Sequence, residues 1–171
     1  LSMAAALVFL DALSQYAPGK VSIKWPNDIF INDTKAGGIL IENAIRGTLW
    51  QWAVIGIGLN INQEKFIGSD FKATSLKAAT GDDFNVLQLS KELYESVLKR
   101  IDCLKEGAFD KMLEEYNQNL FARNRLVMIK KEDTVFETFI KSVSAKGQLI
   151  TEDTIMRQFN FDEIQFVGLV E

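Results

Sequence analysis

The spacing of hydrophobic residues changes along the chain, and each spacing predicts a different kind of element. Residues 1–16 are apolar on almost every side, which predicts a buried helix that ends at Pro18-Gly19. Apolar and polar residues then alternate in short runs, as they do in strands. The strands predicted there are residues 21–25, 29–31, 39–42 and a long buried strand at 49–62. The first third of the chain therefore predicts an antiparallel meander packed on one helix.

A helical spacing follows in the middle of the chain. The apolar residues Leu89, Leu93, Val97 and Ile101 lie four residues apart, as on one face of a helix. Asn85 and Gln88 have the spacing of a capping box at the start of that helix. After a break at Gly107, the helical spacing continues through residues 109–120.

Past about Asn124 the pattern becomes a series of short strands separated by turns. The predicted strands are residues 126–129, 135–143, 148–151, 157–161 and 164–167. So many short strands in a small segment predict a β-barrel. The sequence therefore predicts an α+β fold, with one domain over residues 1–123 and a small β domain over residues 124–171.

Composition narrows the classes of function. The chain has 171 residues, is 47% hydrophobic and carries a net charge of -4, which is ordinary for a globular protein and disfavours nucleic acid as the main partner. It contains no histidine, which excludes a Ser-His-Asp or Cys-His nucleophile and a zinc site built on imidazole. The one cysteine, Cys103, cannot form an internal disulfide; we interpret it as a structural thiol and expect a reducing, cytoplasmic setting. The longest uncharged run, residues 47–63, is too short and polar to span a membrane.

Two polar segments follow predicted strands. Lys24-Trp25-Pro26-Asn27-Asp28 places an amide and a carboxylate at a strand end, although local chemistry alone favours a turn whose polar side chains bind their own backbone. Lys35-Ala36-Gly37-Gly38 combines an ammonium group with paired glycines, which permits close approach of an anion to the backbone. A hairpin with a glycine bulge and a solvated lysine is an equally good interpretation of this second segment.

A third segment is Gly56-Ile57-Gly58-Leu59-Asn60-Ile61-Asn62. It is not a dinucleotide fingerprint, because Ile61 occupies the third glycine position and no helical pattern follows. Glycines within a strand instead leave room for a ligand or another backbone. Asn60 offers both a donor and an acceptor, as needed to recognise the edge of a base.

Taken together and in this order, the three segments resemble the catalytic domain of biotin–protein ligases. Ala73-Thr74-Ser75-Leu76 resembles the next block of that family, and the final β segment, with Asp162-Glu163-Ile164, resembles its C-terminal SH3-like domain. The resemblance implies the class II synthetase-like fold of biotin and lipoate ligases, in which a mixed or antiparallel sheet is flanked by helices.

The resemblance also implies a reaction and its site. Such enzymes activate biotin with ATP as biotinyl-5′-AMP and transfer it to a lysine of a biotin carboxyl carrier protein. Lys35 is then the catalytic cation between the biotin carboxylate and the α-phosphate, and Asp28, supported by Asn27, orients or deprotonates the carrier lysine. Gly38, Leu40 and Gly56 would contact biotin and Asn60 would contact adenine. Mg²⁺ would arrive with ATP, held mostly by phosphates and water rather than by an all-protein cage.

The resemblance is incomplete at the start of the chain. The family's glycine- and arginine-rich loop, which covers the adenylate, would lie upstream of Leu1. We therefore expect further residues upstream, and we expect the 171 residues alone to form little or no biotinyl-5′-AMP. No DNA-binding helix-turn-helix pattern occurs within the chain.

Three other functions compete with a biotin ligase. A lipoate or octanoate ligase shares the fold and a lysine near the acyl-adenylate. A non-catalytic interaction module of the same fold, or an oligonucleotide-binding barrel at the C-terminus, would need no activation chemistry. Trp50 and Trp52 are expected to point the same way along one strand, into the core or an interface, and an exposed strand there would favour a homodimer.

Overall fold

The computed structural model describes residues 1–66 and 72–170 of the chain. In the first part of the described residues the elements are α1 (Ser2–Leu13), β1 (Val21–Lys24), β2 (Asp28–Ile31), β3 (Thr34–Arg46), β4 (Leu49–Leu59), α2 (Leu76–Thr80), α3 (Val86–Lys105) and α4 (Phe109–Gln118). In the second part they are β5 (Leu126–Lys131), β6 (Thr134–Val143), β7 (Leu149–Glu152), β8 (Met156–Phe159) and β9 (Gln165–Leu169). The fold is α+β, as predicted.

Helix α1 lies at the centre of the core. Its small alanines allow close packing, while Leu7, Phe9 and Leu13 are completely buried. The helix contacts α3 and α4 and the strands β1 and β3. The prediction of a buried first helix is therefore confirmed, but the helix ends at Leu13, before the predicted end at Pro18-Gly19.

The first sheet is the predicted meander. Its strands lie in the order β1-β2-β3-β4, and every neighbouring pair is antiparallel. Asn32 and Asp33 both adopt positive φ angles, 51° and 58°, between β2 and β3. Two such residues form the tight hairpin turn that matches the twist of the flanking strands, and Asn and Asp tolerate this conformation well.

The prediction that β4 is buried is wrong. Ile55, Ile57 and Leu59 pack against the core, but the alternate positions, including Gly56 and Gly58, are exposed. A run of apolar and glycine residues does not reveal whether both faces of a strand are covered. Here helices cover one face and leave the other open.

The two tryptophans of β4 do not point the same way. Ala44 pairs with Trp52 whereas Ile45 pairs with Trp50, so Gln51 is an extra residue in the ladder. Such a bulge reverses the facing of the side chains that follow it. Both tryptophan residues are more than half exposed, at 53% and 58%, so the expected core position is wrong and an interface stays a prediction.

Helix α3 begins with half of the predicted capping box. The Asn85 side chain accepts a hydrogen bond from the backbone N–H of Gln88 (3.1 Å). The Gln88 side chain instead donates to Glu92 (3.0 Å), one turn further along. Cys103, on the same helix, is half-buried and packs against the core, in keeping with a structural thiol.

The second sheet has the strand order β8-β7-β6-β5-β9. It is attached to the first part by Asn117 of α4, whose side chain donates to the carbonyl of Val143 (3.0 Å) and accepts from its N–H (2.6 Å). Among the described residues no ladder joins β8 to β9, so closure into an SH3-like barrel stays a prediction, as does the domain boundary after residue 123. No helix within residues 1–66 and 72–170 is long and apolar enough to cross a membrane.

Candidate functional site

All seven residues predicted from the sequence line one groove on the open face of the first sheet. The groove has a volume of about 1120 Å³. The predicted residues along it are Asn27, Asp28, Lys35, Gly38, Leu40, Gly56 and Asn60. The groove lies opposite the face that packs on the helices, so the meander forms its floor.

Lys35 and Asp28 form an ion pair in this groove. The Lys35 ammonium lies 2.6 Å from one carboxylate oxygen of Asp28, and the lysine side chain is 44% exposed. An ammonium group has three N–H donors, and this pair uses one of them. The remaining donors can therefore contact an anionic ligand while Asp28 fixes the position of the nitrogen.

A β-bulge brings Lys35 to the same face as Asp28. In the ladder between β2 and β3, Ile29 pairs with Gly37 but Phe30 pairs with Lys35, so Ala36 is an extra residue. Without it, strict alternation would direct Lys35 to the face opposite Gly38. A bulge is therefore present in this segment, as the competing interpretation expected, but its extra residue is Ala36 rather than a glycine, and the lysine is ion-paired rather than isolated.

A second lysine lies behind Asp28. The Lys24 ammonium is 3.9 Å from the other Asp28 oxygen and lies near the rings of Phe30 (5.4 Å) and Phe166 (4.9 Å). Burial lowers the pKa of Lys24, and the charge of nearby Lys35 acts in the same direction, whereas Asp28 opposes the change. The Asp28 carboxylate thus faces a cation on each side.

Asn27 fastens the segment before Asp28 to β3. Its side-chain amide donates to the carbonyl of Ile39 (2.8 Å), and its own carbonyl accepts from the Ile39 N–H (2.9 Å). The backbone bond extends the pairing with β3 by one residue before the start of β2, and the side-chain bond takes the place of a second backbone bond. Asn27 therefore holds the backbone of the site, and its supporting role toward Asp28 in the reaction stays a prediction.

Two glycines are needed for the close approach of β2, β3 and β4. A Cβ on Gly37 would collide with the backbone oxygen of Gly58, which cannot move without displacing β4. A Cβ on Gly38 would lie 3.3 Å from a carboxylate oxygen of Asp28. Gly58 itself is less crowded, because its nearest neighbour would be the Gly38 oxygen at 3.8 Å. The glycines thus leave the carboxylate and the floor of the groove accessible.

Asn60 and Asn62 organise the far end of the groove. Asn60 donates through its side chain to the carbonyl of Thr74 (3.1 Å), so one of the two amide N–H groups expected to read a ligand is already engaged. Asn62 forms two hydrogen bonds with the backbone of Phe84, at 2.8 and 3.0 Å. Both residues therefore fix the loop that follows β4.

Further residues also line the groove. Gly37, Ile57, Gly58, Leu59 and Ala73 belong to the segments noted in the sequence, whereas Ile39, Lys65, Phe66 and Lys72 lie outside those segments. Lys72 reaches the site because Ala73 bridges to Lys35 and the Thr74 N–H donates to the Lys35 carbonyl (2.8 Å). No local motif predicts this pairing, since Lys35 and residues 72–74 lie far apart in the sequence.

Comparison with known proteins relates this arrangement to one family. The family model described as "Biotin/lipoate A/B protein ligase family" matches residues 1–118. The chain is 38% identical over 88 residues to the bifunctional ligase/repressor BirA of Bacillus subtilis, covering 48% of this chain and 26% of that protein. It is 31% identical over 159 residues to biotin–protein ligase 2 of Arabidopsis thaliana, covering 85% of this chain and 46% of that protein. The chain thus spans less than half the length of these curated relatives.

Solved structures show the same fold. The apo structure of biotin protein ligase from Aquifex aeolicus matches with a TM-score of 0.79 at 20% identity, covering 98% of this chain and 74% of that chain. The complex of that ligase with biotin and ATP matches with a TM-score of 0.78 at 20% identity, covering 98% and 72%. With the family model spanning most of the chain and its predicted residues gathered in one groove, this protein belongs to the biotin/lipoate A/B protein ligase family.

Proposed function

We propose that this protein is an ATP-dependent biotin–protein ligase, which forms biotinyl-5′-AMP and transfers biotin to a lysine of a biotin carboxyl carrier protein. The observation that carries the proposal is the 2.6 Å Lys35–Asp28 pair above a floor of glycines in an open groove. The names of the relatives support biotin as the acid, and the complex of the Aquifex aeolicus ligase with biotin and ATP supports both small molecules.

Lys35 serves the activation step. A carboxylate oxygen of biotin attacks the α-phosphorus of ATP, the bond between that phosphorus and the bridging oxygen to the β-phosphate breaks, and pyrophosphate leaves. Both reactants are anions, so their approach needs a fixed positive charge. Lys35 is held by Asp28, and within residues 1–66 and 72–170 its other N–H donors stay available, so it stabilises the charge that develops on the α-phosphate oxygens.

Asp28 serves the transfer step. The ε-nitrogen of the carrier lysine attacks the acyl carbon of biotinyl-5′-AMP, an amide bond forms and AMP leaves. At neutral pH that amine arrives almost fully protonated, so a base must accept a proton. Asp28 is 20% exposed and keeps its carboxylate beside Lys35, which supports this role.

The remaining predicted residues are proposed to hold the two ligands. The exposed Leu40 and the open backbone of Gly38 and Gly56 supply an apolar and sterically free surface for biotin. Asn60, beside the loop after β4, keeps its side-chain oxygen and one N–H for adenine. Mg²⁺ would be carried by the ATP phosphates, where it neutralises their charge.

The proposal also covers the protein partners, the second domain and the location in the cell. We place the carrier protein at the open side of the groove, and we assign residues 124–171 to an SH3-like domain. The exposed indoles of β4 support pairing with a second copy of the chain. The single cysteine supports a cytoplasmic location.

Isotope exchange between pyrophosphate and ATP tests the function. The full natural protein should catalyse exchange when biotin is present and not without it, because exchange requires the reversible formation of the adenylate. Lipoate and octanoate, in parallel reactions, should give little exchange. Exchange that depends on lipoate or octanoate would assign the protein to the other branch of the family, and exchange with none of the acids would refute adenylate chemistry.

A further inference from the structure

The segment that carries Asp28 is loosely packed on both sides. Trp25 and Pro26 both line two cavities, of about 220 and 320 Å³, whose walls include residues of the first sheet and of the second. Closely packed neighbours normally fix a loop, and cavities of this size remove that support. Asp28 itself is paired with Lys24 and Gly38 in the two ladders of β2, whereas residues 25–27, which connect β1 to β2, depend on a few directional contacts.

One of those contacts comes from the second sheet. The indole Nε1 of Trp25 donates a hydrogen bond to the backbone carbonyl of Gly147, 2.9 Å away and 122 residues further along the chain. Gly147 lies in the turn between β6 and β7. Asn27 provides the other fixed point through its two bonds to Ile39.

The acceptor is rigidly held. The Gly147 N–H donates to the carbonyl of Ser144, and the Ser144 N–H donates to the carbonyl of Gln148, both at 2.9 Å. The preceding residue, Val143, is tied to Asn117 of α4 by two hydrogen bonds. An unbroken series of bonds thus connects α4 through the turn to the indole of Trp25.

We propose that Trp25 is a positioning residue, through which the turn between β6 and β7 fixes the segment 25–28 and holds Asp28 against Lys35. The inference rests on the proposed function only for its kinetic consequence. The second sheet would thereby help to position Asp28, although the sheet contributes no residue to the groove. The positioning depends on one hydrogen bond, from the Trp25 indole N–H to the Gly147 carbonyl, in a region that is loosely packed.

The test compares Trp25→Phe with Trp50→Phe in the full natural protein. The Trp50 indole also donates one hydrogen bond, to Asn43 (3.1 Å), but on the outer part of the hairpin, so the control makes the same chemical change away from the groove. Trp25→Phe should lower the rate constant for biotin transfer from preformed biotinyl-5′-AMP by roughly tenfold, since small misplacements of a reacting group have effects of this order or larger. The KM for the carrier and the melting temperature should stay near the wild-type values. Trp50→Phe should leave the rate constant within twofold.

Amide hydrogen exchange supplies a readout that needs no activity. Trp25→Phe should accelerate exchange of the Ile39 N–H, which is bonded to the Asn27 carbonyl, whereas Trp50→Phe should not. Faster exchange in a protein that forms no adenylate would support the positioning role and refute the proposed function. Unchanged exchange at Ile39, or a wild-type transfer rate, in Trp25→Phe would overturn the positioning role.

Discussion

Replacing Arg100 with methionine tests how the helices behind the groove are held together. Arg100 of α3 donates two hydrogen bonds to Asp11 of α1 (2.7 and 2.6 Å) and two to Glu115 of α4 (2.7 and 2.6 Å). Its side chain is only 9% exposed. Methionine would fill a similar volume but would leave two carboxylates facing each other without a cation.

The expected loss of unfolding free energy in Arg100→Met follows from the burial of the Arg100 side chain. Removing one partner of a buried charge pair costs about 3–5 kcal/mol in unfolding free energy. The Glu115 side chain is 34% exposed and water will partly solvate it, so we expect a loss near the lower end, about 3 kcal/mol. For a chain of this size that lowers the melting temperature by roughly 6–12 °C.

The effect should depend on pH with a defined sign. Arg100 holds the pKa of Glu115 below its ordinary value of 4.5, chiefly through their hydrogen bonds. A carboxylate with a lowered folded-state pKa contributes stability that is present above its unfolded-state pKa and is lost as the pH falls through its folded-state pKa. The difference between wild type and Arg100→Met should therefore shrink below about pH 4.5.

Denaturant unfolding followed by circular dichroism gives the comparison, with Lys105→Met as the matched control. Lys105 lies on the same helix and pairs with Asp102 at 2.8 Å, but both side chains are about two-thirds exposed, and such pairs contribute less than about 1 kcal/mol. If Arg100→Met lost no more stability than Lys105→Met at neutral pH, the charge cluster would not hold the three helices.

Three further predictions concern the groove. Asp28→Asn should slow single-turnover biotin transfer to the carrier more than adenylate formation, because an amide cannot accept the proton of the amine; equal losses in both steps would contradict that role. Gly38→Ala places a Cβ 3.3 Å from the Asp28 carboxylate and should lower transfer by several-fold, whereas Gly58→Ala, with 3.8 Å of room, should have a smaller effect. Gly37→Ala should lower the melting temperature through its collision with the Gly58 backbone, and an unchanged melting curve would mean that β4 can shift freely.

The sequence predicted the elements of the fold because their signals are local. Buried α1, the meander and the helical spacing of α3 each follow from neighbouring residues, and the structure has them in the predicted order. The type and order of the helices and strands could therefore be predicted from residues that are neighbours in the sequence. The seven residues that meet in the groove were selected by the resemblance of three short segments to a known family, since each segment alone had an equally plausible or better local interpretation.

Two features could not be predicted in this way: the side of the sheet on which each side chain lies, and the contacts between residues far apart in sequence. The bulges at Ala36 and Gln51 each change which face the neighbouring side chains occupy, and periodicity cannot show where a ladder gains an extra residue. The partners of Arg100 lie 89 and 15 residues away, and Trp25 bonds to a turn 122 residues away. These contacts depend on how the helices and the two sheets pack, which no local pattern records.

Lys35 is proposed to activate biotin in this groove, and detection of biotinyl-5′-AMP by mass spectrometry tests that role most directly. In the full natural protein with biotin, ATP and Mg²⁺, Lys35→Ala should form the adenylate at least a hundredfold more slowly than wild type, as expected for the loss of one preorganised charged donor. Its melting temperature should barely change, because the lysine is 44% exposed. Lys105→Ala, which removes an exposed lysine outside the groove, should match wild type. Adenylate formation by Lys35→Ala at the wild-type rate would contradict the account.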